Sequence, residues 1–174
     1  MDRDGTLIKA YPGRPAQLPN EVELLPTVCA GMPMLKELGY LLIVVTNQGG
    51  VGQGYQTLEG LHLVNDRMQD LLWQHCGTPA DAIYFCPHKL DAGCICRKPK
   101  PGMILRACAE WNIDPSLSFM VGDDVRDMQA GVAAKLRKNF MIISDRYQEN
   151  KVADLVFSSF LEAVDAIKVL GVQG

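Results

Sequence analysis

Apolar residues in this chain fall into two kinds of segment. Short unbroken runs alternate with longer stretches in which they recur every three or four positions. Residues 41–45, Leu-Leu-Ile-Val-Val, are continuous enough to predict a strand covered on both faces. Residues 82–85, 118–121, 140–143 and 155–157 read as further short strands. Between them, residues 26–38 place Val28, Met32, Leu35 and Leu38 at helical spacing, with Pro33 positioned to kink or delay the helix. Residues 58–75 put Leu61, Val64, Met68, Leu71 and Leu72 on one face, and Gly77 supplies a stop. Residues 101–111 and 124–134 predict two more helices. Ser159 with Glu162 forms a capping box for a last one running to about Leu170. Pro, Gly and Asn crowd residues 11–20, a loop. Strand and helix alternating in this way predict an α/β fold on a parallel sheet.

Composition narrows the classes. The 174 residues are 48% hydrophobic, enough for a core in a single domain spanning 1–174 and too apolar for disorder. Lys and Arg number 17 against 20 for Asp and Glu, a net charge of −3, so no basic excess draws the chain to nucleic acid or to a membrane surface. No apolar run nears the roughly 20 residues of a membrane span. The opening Met-Asp-Arg-Asp lacks the pattern of a secretion signal, so the expected compartment is the cytoplasm. Of six cysteines, Cys86, Cys94 and Cys96 crowd around His88 and read as metal ligands; Cys29, Cys76 and Cys108 are scattered and are expected as buried free thiols.

Four short motifs lie at or beside predicted strand ends, where ligands bind in open α/β sheets. In Asp2-Arg3-Asp4-Gly5-Thr6, two carboxylates two residues apart point the same way, so one could attack while the other moves protons; an ordinary Asp-Gly turn is the plainer reading. Thr46-Asn47-Gln48-Gly49 ends an apolar strand in small polar groups able to hold a phosphate oxygen. Arg97-Lys98-Pro99-Lys100-Pro101-Gly102 restrains a cation between prolines, where an ammonium could offset phosphoryl charge. Gly122-Asp123-Asp124-Val125-Arg126-Asp127 clusters hard oxygen ligands at a helix start; they suit Mg²⁺, although helix capping alone also explains an aspartate there.

All four motifs in this order resemble the haloacid dehalogenase superfamily of aspartyl-phosphate phosphatases, over nearly the whole chain. The resemblance implies a Rossmann-like three-layer α/β fold with a parallel sheet, a zinc-binding loop and no large cap domain. It implies Asp2 as nucleophile, Asp4 as general acid and base, and Thr46 and Lys98 as the groups that hold the phosphoryl group. Mg²⁺ would be bound by Asp2, the carbonyl of Asp4 and Asp123. Asp124 is a further candidate, standing where the heptose enzymes of the superfamily carry lysine.

Cys86-Pro87-His88 and Cys94-Ile95-Cys96 offer three thiolates and an imidazole, a closed tetrahedral set suited to structural Zn²⁺ within a loop spanning 86–96. This signature resembles the zinc-bearing branch that holds D-glycero-D-manno-heptose-1,7-bisphosphate 7-phosphatases and histidinol-phosphate phosphatases. The C-terminal motifs favour the heptose enzymes; the five-residue spacing inside the zinc loop is similar to the histidinol enzymes. On the first reading Arg97 binds a second phosphate, and Asn47 and Gln48 line the sugar site. The partner is then a small phosphate ester, with neither nucleic acid nor membrane, and the enzyme a monomer. A non-catalytic zinc-braced paralogue and a response-regulator-like receiver are the competing readings; the receiver needs neither Asp4 nor the zinc cluster. In the superfamily the first motif ends the central strand, whereas here only Met1 precedes Asp2. The first central strand is therefore expected to be truncated, leaving the nucleophile on a frayed terminus.

Overall fold

The computed structural model describes residues 1–144 and 151–171. Helices and strands alternate as α1 (Val28–Glu37), β1 (Ile43–Asn47), α2 (Leu58–Leu71), β2 (Ala82–Cys86), α3 (Gly102–Trp111), β3 (Phe119–Gly122), α4 (Val125–Ala133), β4 (Lys138–Ile142), β5 (Leu155–Phe157) and α5 (Phe160–Gly171). The named strands pair in parallel: β1 with β2, β3 with β4, and β4 with β5. Successive side chains of a strand face opposite sides. Val44, Val121, Phe140 and Ile142 therefore pack with α1, α2 and α5, while Val45, Met120 and Met141 pack with α3 and α4. The result is the three-layer arrangement expected. Among the described residues, no helix is long and apolar enough to cross a membrane.

Local departures from the pattern have identifiable causes. β1 extends to Thr46 and Asn47, which stay in register with Phe85 and Cys86, so polar residues of the second motif are fixed by a ladder and not by a loop. Pro33 lies inside α1 without ending it; the helix runs on without the one bond that residue 33 cannot donate. α2 gives way to a π-helical turn over Leu72–Cys76, which closes at Gly77 in the left-handed conformation, φ +65°. That turn packs on α1 and brings Cys76 to Cys29, with 4.4 Å between Cα atoms, as a disulfide. The expectation of free thiols is thus corrected for this pair, which lies 47 residues apart in sequence; Cys108 is free.

The sheet is divided between β1 and β3. Met1 and Asp2 bridge the two halves. The Met1 amino group donates to the Ile43 carbonyl at 2.8 Å, Val45 N–H donates to the Met1 carbonyl at 2.9 Å, and Asp2 N–H donates to the Val121 carbonyl at 2.9 Å. Below this bridge a cavity of about 310 Å³ separates the halves, lined by Met1, Leu42, Ile43, Val45, Phe119 and Val121 among others. Of the central strand expected between β1 and β3, Met1 and Asp2 are present. The frayed terminus is not: Asp2 is buried and held on both sides. Burial pushes the Met1 amine pKa down to about 5, and the Lys98 charge acts in the same direction.

Candidate active site and metal centres

Asp2 ends the bridge between the half-sheets, Thr46 is the penultimate residue of β1, and Asp123 follows β3, so three chain segments deliver polar side chains to one edge of the sheet. Lys98 reaches them from the loop before α3. Its Nζ lies 2.8 Å from Asp2 Oδ1 and 2.6 Å from Asp127 Oδ1, and it donates to the Val45 carbonyl at 2.7 Å. Burial opposes the charge on Lys98, but Asp127 and Asp2 outweigh it and hold the pKa above the ordinary lysine value. Asn47 fixes the main chain there: its Nδ2 donates to the Lys98 carbonyl and its Oδ1 accepts from Lys98 N–H, each at 3.0 Å. The Lys98–Pro99 peptide is cis.

Asp2, Asp123 and Asp127 place carboxylate oxygens within 4.8 Å of one another, all buried. Ser144 Oγ donates to Asp123 Oδ2 at 3.0 Å. Asp127 is committed on both sides, with Oδ1 to Lys98 and Oδ2 accepting Asp124 N–H at 3.1 Å. Burial lifts its pKa to about 6, against the pull of Lys98 and with a further push from Asp2. Asp2 Oδ1 is enclosed, with Lys98 Nζ 2.8 Å away. A buried carboxylate oxygen beside a second carboxylate fits a hard divalent cation such as Mg²⁺. Asp124 stands apart from this set. Its side chain caps α4 by accepting Arg126 N–H at 2.9 Å and takes the Arg126 guanidinium at 2.9 and 2.5 Å.

Asp4 is surrounded by donors. Arg3 Nε reaches its Oδ2 at 3.0 Å and Arg3 Nη2 its Oδ1 at 3.4 Å. Ala16 N–H, from the loop over residues 11–20, reaches Oδ1 at 3.1 Å, and Gln48 Nε2 reaches Oδ2 at 2.9 Å. The same Gln48 nitrogen donates to Thr46 Oγ1 at 2.8 Å. With an acceptor site of Thr46 filled, its hydroxyl proton remains to be donated elsewhere. Gln48 is fully buried. Gln48 and Asn47, the residues the resemblance implied at the sugar site, each also engage another site residue: Gln48 donates to Asp4 and Thr46, and Asn47 pairs with the Lys98 main chain.

At the second centre, Cys86 Sγ lies 3.6 Å from His88 Nδ1, 3.6 Å from Cys94 Sγ and 3.3 Å from Cys96 Sγ, while His88 Nδ1 is 3.2 Å from Cys96 Sγ. A tetrahedron with metal–sulfur bonds near 2.3 Å has edges of about 3.8 Å. Four soft donors at nearly these edges fit Zn²⁺ and leave no ligand position for water. Burial, reinforced by Cys96, pushes the Cys86 thiol up to about 12, so a metal here must displace a proton. Lys100 Nζ ties the loop by donating to the carbonyls of Gly93 and Cys94 at 3.0 and 2.9 Å. A Cβ on Gly102 would collide with the Ile95 backbone, so the glycine permits α3 to start against the loop. Arg97 lies between this loop and the active site: Nη1 donates to the His88 carbonyl at 3.2 Å, and its buried Nε has no hydrogen-bond partner. A Cβ on Gly49 would meet Arg97 Nη1 at 2.8 Å, so this glycine makes room for the guanidinium.

Three side chains carry more of the site than their sequence context suggested. Asp127 anchors Lys98; its signal is its place in the first turn of the helix that follows Asp123 and Asp124. Arg3 and its partner Asn65, at 2.6 Å, lie 62 residues apart and have no local signature.

Comparison with known proteins agrees with this geometry. A family profile described as polynucleotide kinase 3 phosphatase matches residues 1–162. The D-glycero-beta-D-manno-heptose-1,7-bisphosphate 7-phosphatase of Helicobacter pylori (strain ATCC 700392 / 26695) is 36% identical over 168 residues, covering 97% of this chain and 95% of the relative. That of Pasteurella multocida (strain Pm70) is 37% identical over 179 residues, covering 98% and 96%. The crystal structure of D,D-heptose 1,7-bisphosphate phosphatase from B. bronchiseptica, complexed with magnesium and phosphate, superposes with a TM-score of 0.86 at 26% identity, covering 97% of this chain and 96% of that one. The chain belongs to the haloacid dehalogenase-type phosphatases, in the family described as polynucleotide kinase 3 phosphatase.

Proposed function

We propose that this phosphatase removes the 7-phosphate of D-glycero-D-manno-heptose 1,7-bisphosphate, using Asp2 as nucleophile and Asp4 as proton carrier. The observation that carries the chemistry is the meeting of Asp2, Asp123 and Lys98 in one buried cluster at the sheet edge. The substrate rests on the names of relatives that match nearly the whole chain.

In the first step the Asp2 carboxylate attacks phosphorus, the bond from phosphorus to the ester oxygen breaks, and Asp4 gives its proton to the departing alkoxide. In the second, Asp4 takes a proton from water, the water oxygen attacks phosphorus, and the bond to Asp2 breaks to release phosphate. Lys98 offsets phosphoryl charge that would repel Asp2, and the Thr46 hydroxyl donates to a phosphoryl oxygen. Mg²⁺, held by Asp2, Asp123 and the Asp4 carbonyl, would supply further charge neutralisation. The zinc set would brace the loop that carries Arg97 and Lys98. The half-buried Arg97 guanidinium, tethered through Nη1 to the His88 carbonyl beside the turn at Gly49, is the group that takes the second phosphate on this reading. The free thiols of the Cys86, Cys94 and Cys96 set favour a reducing compartment such as the cytoplasm, whereas the Cys29–Cys76 disulfide favours an oxidising one.

The test is phosphate release with Mg²⁺ from heptose bisphosphate and from histidinol phosphate, by the parent chain and Asp2→Asn. The expected result is preference for the heptose ester, with near-complete loss of turnover in Asp2→Asn and an unchanged circular dichroism spectrum. Parent-level turnover in Asp2→Asn would overturn the mechanism; preference for histidinol phosphate would overturn the substrate.

A further inference from the structure

Arg3 sits between the two aspartates of the first motif, yet no step above uses it. Its side chain is fully enclosed. A guanidinium has five donors and no acceptor, so an enclosed one must find carboxylates or carbonyls. Arg3 finds two side chains. Nε and Nη2 grip both oxygens of Asp4, and Nη1 donates at 2.6 Å to Oδ1 of Asn65, itself buried on the inward face of α2.

Stability alone does not account for this arrangement. A buried ion pair is commonly no more stable than apolar residues of the same volume. What the arrangement does provide is orientation. Asp4 receives hydrogen bonds from Arg3, Ala16 and Gln48, three separate points of the chain, and Asn65 fixes the guanidinium from a fourth. The planar fork sets the plane of the carboxyl group as well as its place, which a lysine ammonium cannot do.

Resting on the reading of Asp4 as proton carrier, we infer that Arg3, anchored by Asn65, is a positioning residue that holds the Asp4 carboxyl group in line with the leaving oxygen. A misplacement of about 1 Å in such a group can cost on the order of 10²-fold in rate. The loss falls where protonation matters. An alkoxide leaves poorly without a proton; 4-nitrophenolate leaves well without one.

The experiment compares kcat/KM for an alkyl phosphate and for 4-nitrophenyl phosphate, with Mg²⁺, in the parent chain, Arg3→Met, Arg3→Lys and Asn65→Leu. This parameter reports the first phosphoryl transfer and omits the later attack of water. Arg3→Met is expected to lower the alkyl ester about 10- to 100-fold and the nitrophenyl ester less than about threefold. Arg3→Lys should fall between parent and Arg3→Met, and Asn65→Leu should shift the ratio in the same direction by less. Equal losses on both esters, or no loss on the alkyl ester, would overturn the inference. Thermal melts monitor folding. If Arg3→Met does not fold, Asn65→Leu decides, because it leaves the Arg3–Asp4 pair in place. A parent chain that hydrolyses neither ester defeats the proposed function and this inference with it; an active parent with an unmoved ratio in folded variants defeats this inference alone.

Discussion

Replacing Lys98 by methionine isolates the charge balance on which the site is built. The side chain keeps most of its apolar stem, one atom shorter, and loses a cation that touches Asp2 at 2.8 Å and Asp127 at 2.6 Å. Two carboxylates whose oxygens lie within 4.8 Å of each other then face one another uncompensated. At an effective dielectric constant near 20, their repulsion is about 3.5 kcal/mol. Removing one member of a buried charge pair generally costs about 3–5 kcal/mol, so the two estimates agree. The penalty should depend on pH. Asp127 already titrates near 6 in the folded chain, above its unfolded value, and loss of Lys98 raises it further. A carboxylate of this kind holds its proton more tightly folded than unfolded, so its contribution is present in acid and disappears as pH climbs through the folded pKa. Urea unfolding without metal should therefore show Lys98→Met less stable than the parent by about 3–5 kcal/mol at pH 8 and by clearly less at pH 5. Millimolar Mg²⁺ at pH 8 should recover part of the loss. Equal midpoints at pH 8, or a deficit that grows toward pH 5, would show that Lys98 does not balance these carboxylates.

Other consequences are open to measurement. The Met1 amine has a folded pKa near 5 against 8 when free, so the unfolded chain binds more protons between those values. Its contribution to stability should be present above pH 8 and lost as pH falls toward 5, and acetylating the amine should remove that slope in urea titrations. Adding five to eight apolar, strand-forming residues before Met1 should fill the cavity between β1 and β3. The thermal midpoint should rise by about 5 °C or more, and turnover should rise with it; an unchanged midpoint would rule out that filling. Cys96→Ser should abolish stoichiometric zinc by elemental analysis and lower turnover through the loop that carries Lys98, with the far-ultraviolet circular dichroism nearly intact.

The parts of this molecule that could be read from the chain are those set by local pattern. Alternating apolar runs located all five named strands to within two residues, because buried parallel strands admit few polar positions. Cys86, His88, Cys94 and Cys96 lie within eleven residues, a spacing that marks a candidate metal site without any knowledge of the fold. What escaped depends on pairs far apart in sequence. Arg3 meets Asn65 across 62 residues, Asn47 meets Lys98 across 51, and Cys29 meets Cys76 across 47. Gln48 and Asn47 were legible as polar groups at a strand end. Which way they turn is decided by Asp4 and Lys98, supplied by other segments.

The seam at Met1 and Asp2 has a mechanical corollary. Thr46 and, through Asn47, Lys98 travel with β1 and β2, whereas Asp123 and Asp127 travel with β3 and β4. Asp2 straddles the join, where three main-chain bonds, together with the packing of α1 on α5, set the alignment of its two flanks. Slippage by a single ångström along that join would separate Lys98 from one of its two acidic neighbours before any substrate arrived. Turnover in this protein is therefore also a gauge of how firmly the two flanks are stitched together.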